Sequence, residues 1–299
     1  MEREYIRAKP DPRARGRSIG WNSPKMRVAE QPVNIGDCSV KMDVNRYEVR
    51  LAEGPADLRA AQKLRYRVFV QEMGARISDE DAAEGVERDQ FDTYFDHLLL
   101  IDRTLPVDDS GQHVVGVYRL LRDEVAREGL GFYGQTEYDL TPLLNSGRRT
   151  VELGRSCLDK AYRGGVGMHL LWDGLGDYVT ERGIEVMFGV ASFHGTNPDD
   201  VAQALSYLHH NHLAPEDLRV TAHAENSVSM ARIAPENIDA RAAVRQIPSL
   251  IKAYLRLGGF VGQGAYIDED FNTIDVCLLM DTTRMVERYR EFYARKRGG

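Results

Sequence analysis

Three carboxylates lie close together in the segment GVERDQFD, where Glu87, Asp89 and Asp92 fall within six residues. Like charges at this spacing repel one another unless a cation or a shared proton compensates. The segment could therefore bind an ammonium-bearing substrate or abstract a proton. A solvated acidic loop has the same composition, so the sequence leaves both interpretations open.

A further carboxylate interrupts the apolar segment RTVELGRSCLD at Glu152. A carboxylate in a buried strand is costly unless it is paired or used. Glu152 is therefore either a partner in a structural salt bridge or a general base. Arg155 points to the opposite face of a regular strand, so the two side chains meet only if a bulge intervenes near Gly154.

A glycine-rich turn follows in YRGGVGMHLL, with Arg163, Gly164, Gly165 and Gly167. Free backbone N–H groups at the start of a helix bind phosphate groups, and an arginine adds a charge-assisted contact. The turn lacks the G-x-x-x-x-G-K-[ST] pattern of a nucleotide-hydrolysing P-loop. A tight connection between a strand and a helix can also require such glycines.

The segment SYLHHNH offers imidazoles and a phenol. His209, His210 and His212 are not spaced four residues apart, the spacing that places two imidazoles on one helix face. We therefore expect no metal site here. Tyr207 could protonate a departing thiolate, or it could be a packed core side chain.

The hydrophobic pattern alternates between strands and helices along one core. Strands are predicted over 46–52, 92–102, 113–121, 149–159, 185–193, 261–267 and 272–280, and helices from 57 onward and over 164–182, 199–213, 248–259 and 284–295. This order predicts one α/β domain with a C-terminal extension.

The composition excludes several classes of protein. The 299 residues carry 39 basic and 46 acidic side chains, a net charge of −7, and are 42% hydrophobic, as in globular proteins. Apolar runs fall far short of the ~20 residues of a membrane span, and the first residues lack the apolar core of a secretory signal. Three distant cysteines favour neither a disulfide framework nor a zinc site. We expect a cytoplasmic protein.

Charge is distributed unevenly. Residues 1–30 hold eight basic and four acidic side chains, a net +4 that leaves −11 to the rest of the chain. We expect residues 1–45 to form a flexible basic arm, either solvated or in contact with anionic lipids of the inner membrane or an acidic partner. Nucleic acid is not an expected partner, because the acidic body offers no basic patch with interleaved aromatics.

Taken together, these features resemble the branch of the GNAT superfamily that contains acyl-homoserine-lactone synthases and ornithine-lipid N-acyltransferases. The matching segments are LRYRVF (Arg65, Phe69), ERDQFD (Glu87, Asp89, Asp92), GVYRLL (Arg119) and ELGR (Glu152, Arg155). The resemblance implies a three-layer α/β/α sandwich with a splayed, mostly antiparallel central sheet. It covers about 46–295, so we expect one domain over 46–299, with 214–299 as an extension of the same core.

Two features favour the lipid branch. Ala75 stands six residues after Phe69, where the lactone synthases usually have tryptophan, and the segments from 188 to 280 look like ornithine-lipid acyltransferases. The resemblance implies an enzyme that moves a 3-hydroxyacyl chain from acyl carrier protein to the α-amine of L-ornithine, giving lyso-ornithine lipid. The alternatives are a lactone synthase that uses S-adenosylmethionine and a non-catalytic protein that binds acyl thioesters. Lysine, glutamine or glycine could also replace ornithine as the acceptor.

The resemblance also implies roles for the residues above. Glu152 is the expected general base, with Glu87 as its competitor and Tyr207 as the proton donor. The acceptor would be bound by Arg65, Phe69, Asp89, Asp92 and Arg119. The phosphopantetheine of the carrier would be held by Arg155, Arg163, Gly164, Gly165 and Gly167, with Arg148 and Arg149 flanking its entrance. No metal or separate cofactor is expected, because the acyl donor itself carries phosphopantetheine.

Overall fold

A computed structural model describes residues 46–284 of the chain. The predicted arm over 1–45 lies outside these residues, as does nearly all of the closing helix predicted over 284–295.

The described elements alternate as the hydrophobic pattern indicates. The strands are β1 (Tyr47–Leu51), β2 (Asp96–Asp102), β3 (Val114–Arg122), β4 (Tyr138–Asp139), β5 (Thr150–Leu158), β6 (Val186–His194), β7 (Thr221–Ala222), β8 (Ser227–Val228), β9 (Phe260–Val261), β10 (Ala265–Asp268) and β11 (Thr273–Asp281). The helices are α1 (Pro55–Arg65), α2 (Asp79–Glu84), α3 (Asp123–Glu128), α4 (Thr141–Asn145), α5 (Gly167–Arg182), α6 (Ala202–His212), α7 (Ala240–Gln246) and α8 (Ser249–Arg256). A π-helical turn (Tyr66–Glu72) continues α1, and a 3₁₀ turn (Tyr133–Thr136) precedes β4.

The main sheet has the strand order β1-β2-β3-β5-β6-β11-β10-β8, with β9 beside β11. Among the described residues, its strand pairs are antiparallel except for β5 and β6, which run parallel. β11 belongs to the predicted C-terminal extension and pairs with β6 along its whole length. The extension therefore completes the sheet rather than standing beside it.

Two helical layers cover the sheet, one on each face. The alternating side chains of β2 pack against both layers. Successive side chains of a strand point to opposite faces. Leu98 and Leu100 pack in the core with Leu171 of α5, whereas Leu99 and Ile101 pack in the core of α1. This arrangement confirms the predicted three-layer α/β/α sandwich.

The sheet opens between β5 and β6. The two strands pair only from Thr150 to Glu152, opposite Val186 to Phe188. At Gly189, β6 approaches so closely that a Cβ would lie 2.1 Å from the carbonyl oxygen of Leu153, which excludes any larger residue without a backbone shift. Beyond this point the described strands part, as the predicted splay requires.

β5 also carries a bulge. Gly154 lies opposite Arg119 and Cys157 lies opposite Val117, so Arg155 and Ser156 share one partner position on β3. Arg155 has a φ of 47°, in the left-handed region that few residues other than glycine adopt. The bulge that the sequence analysis considered near Gly154 is therefore present.

Three predicted elements differ in detail. The strand predicted over 261–267 is divided into β9 and β10. The strand predicted over 92–102 begins at Asp96, because the N–H groups of Asp92 and Phe95 bond to the carbonyls of Asp89 and Phe91 in consecutive turns. The helix predicted over 164–182 begins at Gly167, after Gly164 has taken a φ of 76°.

In residues 46–284, no helix combines the length and apolar character needed to cross a membrane. Cys157 and Cys277 are buried free thiols, and Cys38 lies outside the described residues.

Candidate active site

A cavity of about 500 Å³ occupies the gap between β5 and β6. Strand β11, the π-helical turn and the 3₁₀ turn complete its wall. Of the residues singled out in the sequence, those that line it are Phe69, Arg119, Glu152, Gly154, Arg155, Arg163 and Gly164, and Ser156 lines it beside Arg155. The remaining lining is largely apolar, with Val68, Met168, Met187, Leu250 and Leu278 among its members.

Glu152 lies at the point where the strands begin to part. Its side chain is 98% buried and accepts hydrogen bonds from the backbone N–H groups of Tyr133 at 2.8 Å and Gly134 at 2.6 Å. A Cβ on Gly134 would come within 2.9 Å of Glu152 Oε1, so a larger residue at this position would displace the carboxylate. Burial raises the pKa of Glu152 to about 7, against the lowering effect of the two N–H groups.

The salt bridge considered for Glu152 is not found within residues 46–284. The bulge in β5 turns Arg155 toward Glu87 at 3.1 Å and Asp89 at 3.4 Å instead. A buried carboxylate with a pKa near neutrality is the state expected of a general base, since it can accept a proton at physiological pH.

The acidic loop is held by arginines. Arg65 is fully buried and donates to Glu87 and, at 2.5 Å, to Asp92. Arg119 is also buried and donates to Asp89 and Asp92, at 2.8 Å in each case. Three guanidinium groups, with Arg155 as the third, therefore balance three carboxylates.

These pairs change what the loop can do. Burial raises the pKa of Glu87, but the charges of Arg155 and Arg65 outweigh this effect and lower the pKa to about 2. The pKa of Asp92 is also lowered, by Arg65 above all, against the effect of burial. A carboxylate with so low a pKa accepts a proton poorly, so the geometry favours Glu152 over Glu87 as base.

Arg155 connects this network to the cavity wall. Its guanidinium carbon lies 5.0 Å from the centre of the Tyr133 ring and 4.4 Å from that of Phe271. Phe271 in turn meets Phe69 edge to face at 6.4 Å. The strained backbone of Arg155 is thus fixed by two carboxylates and two rings.

The predicted glycine turn lies at one mouth of the cavity. Gly164 and Gly165 are exposed, and a Cβ on Gly164 would meet no atom within 4 Å. No side chain caps the N-terminus of α5 at Val166, so its first N–H groups are available to a ligand. Arg163 is half-exposed there and pairs with Glu72 at 2.8 Å.

Arg148 and Arg149 lie elsewhere. They precede β5, whereas the glycine turn follows it, and nine strand residues separate the two by roughly 30 Å. Arg148 is engaged with Asp281 at 2.8 Å. These arginines therefore do not flank the turn that they were expected to flank.

Tyr207 also lies away from the cavity. It is on α6, partly buried against the larger core, with its ring 5.7 Å from that of His212. In the described part of the chain, the tyrosines that line the cavity are Tyr118, Tyr133 and Tyr254. The hydroxyls of Tyr118 and Tyr254 lie 2.9 Å apart.

A second acidic group in the cavity was not predicted from the sequence. Carboxylate oxygens of Glu137, Asp268 and Asp275 all lie within 4.8 Å of one another, and all three residues line the cavity. No local motif joins them, because more than one hundred residues separate Glu137 from the other two. The one available signal was a charged residue, Asp275, near the start of an otherwise apolar strand.

The chain is similar to a family model and to several solved structures. The family model described as "Acetyltransferase (GNAT) domain" matches residues 64–173, which contain β2, β3, β5 and the start of α5. Among solved structures, the chain is similar to a CoA-dependent acyl-homoserine lactone synthase, MesI (TM-score 0.42, 15% identity, 83% of this chain and 95% of that one). It is also similar to the AHL synthase LasI (TM-score 0.41, 15% identity, 79% and 89%).

The family model and two curated relatives together identify the chain as an acyltransferase with the GNAT fold. It is 53% identical over 250 residues to the L-ornithine N(alpha)-acyltransferase of Rhodobacter capsulatus, covering 84% of this chain and 95% of the relative. It is 44% identical over 260 residues to the enzyme of the same name from Brucella abortus, covering 86% and 92%. The chain belongs to the L-ornithine N(alpha)-acyltransferase family.

Proposed function

We propose that this chain transfers a 3-hydroxyacyl group from the phosphopantetheine thioester of acyl carrier protein to the α-amine of L-ornithine, giving lyso-ornithine lipid. The observation that carries the proposal is Glu152, a buried carboxylate with a pKa raised to about 7 at the parting of two strands. The names of the relatives support ornithine as the acceptor.

Glu152 would take the first proton. The α-amine of ornithine arrives as an ammonium and must lose a proton before its lone pair can attack. Glu152 accepts that proton directly or through a water. A C–N bond then forms at the thioester carbonyl and the C–S bond breaks. The second amine proton neutralises the departing thiolate, so the products are the amide, the free thiol and one released proton.

The bulge in β5 would stabilise the oxyanion. In the described residues β5 pairs with β6 only as far as Glu152, so the backbone from Gly154 to Ser156 faces the cavity rather than a neighbouring strand on that side. Its N–H groups are the candidate donors to the thioester oxygen, whose negative charge grows in the transition state.

The glycine turn would hold the donor. The uncapped start of α5 offers backbone N–H groups and the positive end of the helix dipole to the phosphopantetheine phosphate. Lys160 and Arg163 are exposed beside it, and a basic surface suits an acidic carrier protein. The apolar wall around Met168 and Met187 suits the acyl chain.

The basic N-terminal segment would place the enzyme at its product's destination. Its net +4 favours contact with anionic lipid head groups. We expect the full chain to sediment with vesicles containing anionic lipid, less so as salt is raised, and deletion of residues 1–30 to abolish most of this binding. Unchanged sedimentation after the deletion would remove the membrane role.

The test of the function is product analysis with the purified full chain. 3-Hydroxyacyl carrier protein is offered with L-ornithine, lysine, glutamine, glycine or S-adenosylmethionine in separate reactions, and the same acyl group on CoA serves as a donor control. N-acyl-ornithine from the carrier thioester is the expected product. A lactone from S-adenosylmethionine, or no product from any acceptor, contradicts the proposal, and equal turnover with CoA contradicts its donor.

A further inference from the structure

The second acidic group in the cavity is built from three separate elements. Glu137 follows the 3₁₀ turn, Asp268 ends β10, and Asp275 lies inside β11. Glu137 is 97% buried and Asp275 is 96% buried, whereas Asp268 is half-buried. This cluster is therefore part of the protein interior and not a solvated surface patch.

One of its oxygens lacks a donor. Within the described residues, Glu137 Oε2 is buried and receives no hydrogen bond. Asp275 is less isolated, because the hydroxyls of Ser192 and Thr273 interact with its carboxylate and lower its pKa against the effect of burial. Glu137 and Asp275 both line the cavity. Buried acceptors without donors are rare, because each costs the free energy of its lost hydration. A donor group that enters the cavity would satisfy Glu137 Oε2.

The cluster also lacks a neutralising charge of its own. Burial, followed by the charges of Asp275 and Asp268, raises the pKa of Glu137 well above its usual range. The pKa of Asp275 is raised to about 6, chiefly by burial. The loop of Glu87, by contrast, is balanced by arginines. Arg155 acts on this cluster only from a distance, since its guanidinium is engaged with that loop.

We propose that Glu137, Asp268 and Asp275 bind the side-chain ammonium of the acceptor amino acid. The inference rests on the proposed function and deepens it. The 3₁₀ turn connects this cluster to the proposed base through Gly134. The N–H of Gly134 donates to Glu152, and the carbonyl oxygen of Gly134 accepts a hydrogen bond from the N–H of Glu137. An acceptor whose side-chain ammonium is held at the cluster therefore directs its α-amine toward Glu152.

An ammonium suits the cluster. It carries three N–H donors, and acceptors placed ~2.8 Å from its nitrogen lie about 4.6 Å apart, in keeping with the 4.8 Å limit on the separations here. The same carboxylates could hold a divalent cation. Because the cluster lies in the same cavity as the proposed base, the acceptor ammonium is the favoured ligand. The experiment below distinguishes it from a metal ion.

The test compares L-ornithine with L-norvaline, which has the same carbon chain without the side-chain amine. Wild type is expected to prefer ornithine in kcat/KM. Glu137→Gln, Asp268→Asn and Asp275→Asn should each lower kcat/KM for ornithine about 10- to 100-fold, mainly through KM, and lower kcat/KM for norvaline much less, so that the preference for ornithine is lost. Activity on norvaline shows that each variant is folded. Glu236→Gln, which removes an exposed carboxylate, is the matched control and should keep the wild-type preference.

Three results separate the possibilities. If wild type does not acylate ornithine at all, the proposed function has failed. If it does, but the three variants keep the wild-type preference, the ammonium site is refuted while the function stands. Loss of the preference on treatment with EDTA, with recovery on adding Ca²⁺ or Mg²⁺, would assign the cluster to a metal and also refute the ammonium site.

Discussion

Three glutamates near one cavity take three different states because their surroundings differ. Glu152 is buried and bound only by backbone N–H groups, which leaves its pKa near 7. Glu87 is equally buried but lies between two arginines, which keep it charged. Glu137 is buried among other carboxylates, which favours its protonated form until a cation binds. Environment, not residue type, assigns the roles.

Replacing the base should separate chemistry from binding. Glu152→Gln keeps the shape and can still accept the two N–H bonds, but it cannot take a proton. We expect kcat to fall by about 10²–10⁴-fold with little change in KM for ornithine. In wild type, kcat/KM should rise with pH up to about 7, since Glu152 must be deprotonated to act.

The pH profile is the sharper readout. The rising limb near pH 7 should vanish in Glu152→Gln, whereas the exposed-site control Glu128→Gln should retain it. Near-wild-type kcat in Glu152→Gln would show that Glu152 is structural.

At this scale, sequence reasoning found the residues whose cost is visible locally. Glu152 stands out because its neighbours in β5 are apolar. Arg155 stands out because, three residues further along a strand, it could meet Glu152 only if a bulge intervened. Glu137 and Asp268 had no such local contrast, since they lie near turns. Tyr207 had the right chemistry but packs against the core, because its direction depends on how α6 docks.

Among the elements, the short register between β5 and β6 creates the site. Three paired residues hold the strands together, and Gly189 brings β6 against the carbonyl of Leu153 just before they part. The parting leaves backbone polar groups free for a ligand, which a complete parallel pair would have consumed.

Gly189→Ala tests this arrangement. Its Cβ would lie 2.1 Å from the Leu153 carbonyl oxygen, so the strands must shift at the junction. We expect the free energy of unfolding to fall by about 1–3 kcal/mol and kcat to fall as well, measured by urea denaturation and by the acyl-transfer assay.

Gly176→Ala is the matched control. A Cβ there meets nothing within 4 Å in the middle of α5, so this change should raise stability by up to about 1 kcal/mol and leave activity unchanged. Equal effects of the two substitutions would show that the junction at Gly189 is not critical.

The elements themselves were largely predictable because their periodicity is local. The almost wholly apolar segment 185–193 predicts a strand covered on both faces, and the structure buries β6 over its first four residues but exposes Ser192 and His194 near its end. The π-helical turn after Arg65 was not predictable, since it depends on how the chain meets the acidic loop. The turns at Asp92 likewise follow from arginines that are distant in sequence.

In the whole domain, topology brings the proposed donor and acceptor sites to one edge of the sheet. The parallel strands β5 and β6 end at the same edge, and β11 begins there because it is antiparallel to β6. The glycine turn after β5 and Asp275 near the start of β11 therefore lie on either side of the gap. A thioester from one side and an amino acid from the other would meet beside Glu152.

The sequence alone supported the fold class, because strands and helices alternate in one order along one core. It did not reveal the cluster of Glu137, Asp268 and Asp275 that we propose as the acceptor subsite, because this cluster forms only once β10 and β11 fold back against the 3₁₀ turn. The acidic loop was the only carboxylate cluster visible in the local sequence, and it was therefore expected to bind the acceptor. In the structure, arginines that are distant in sequence pair with its carboxylates.

The most direct measurement is the position of the acyl group in the ornithine product, read by tandem mass spectrometry. If Glu152 deprotonates the attacking amine while Glu137, Asp268 and Asp275 hold the side-chain ammonium, the product is acylated on the α-nitrogen. Acylation on the δ-nitrogen would place the side-chain amine at the base and contradict both assignments.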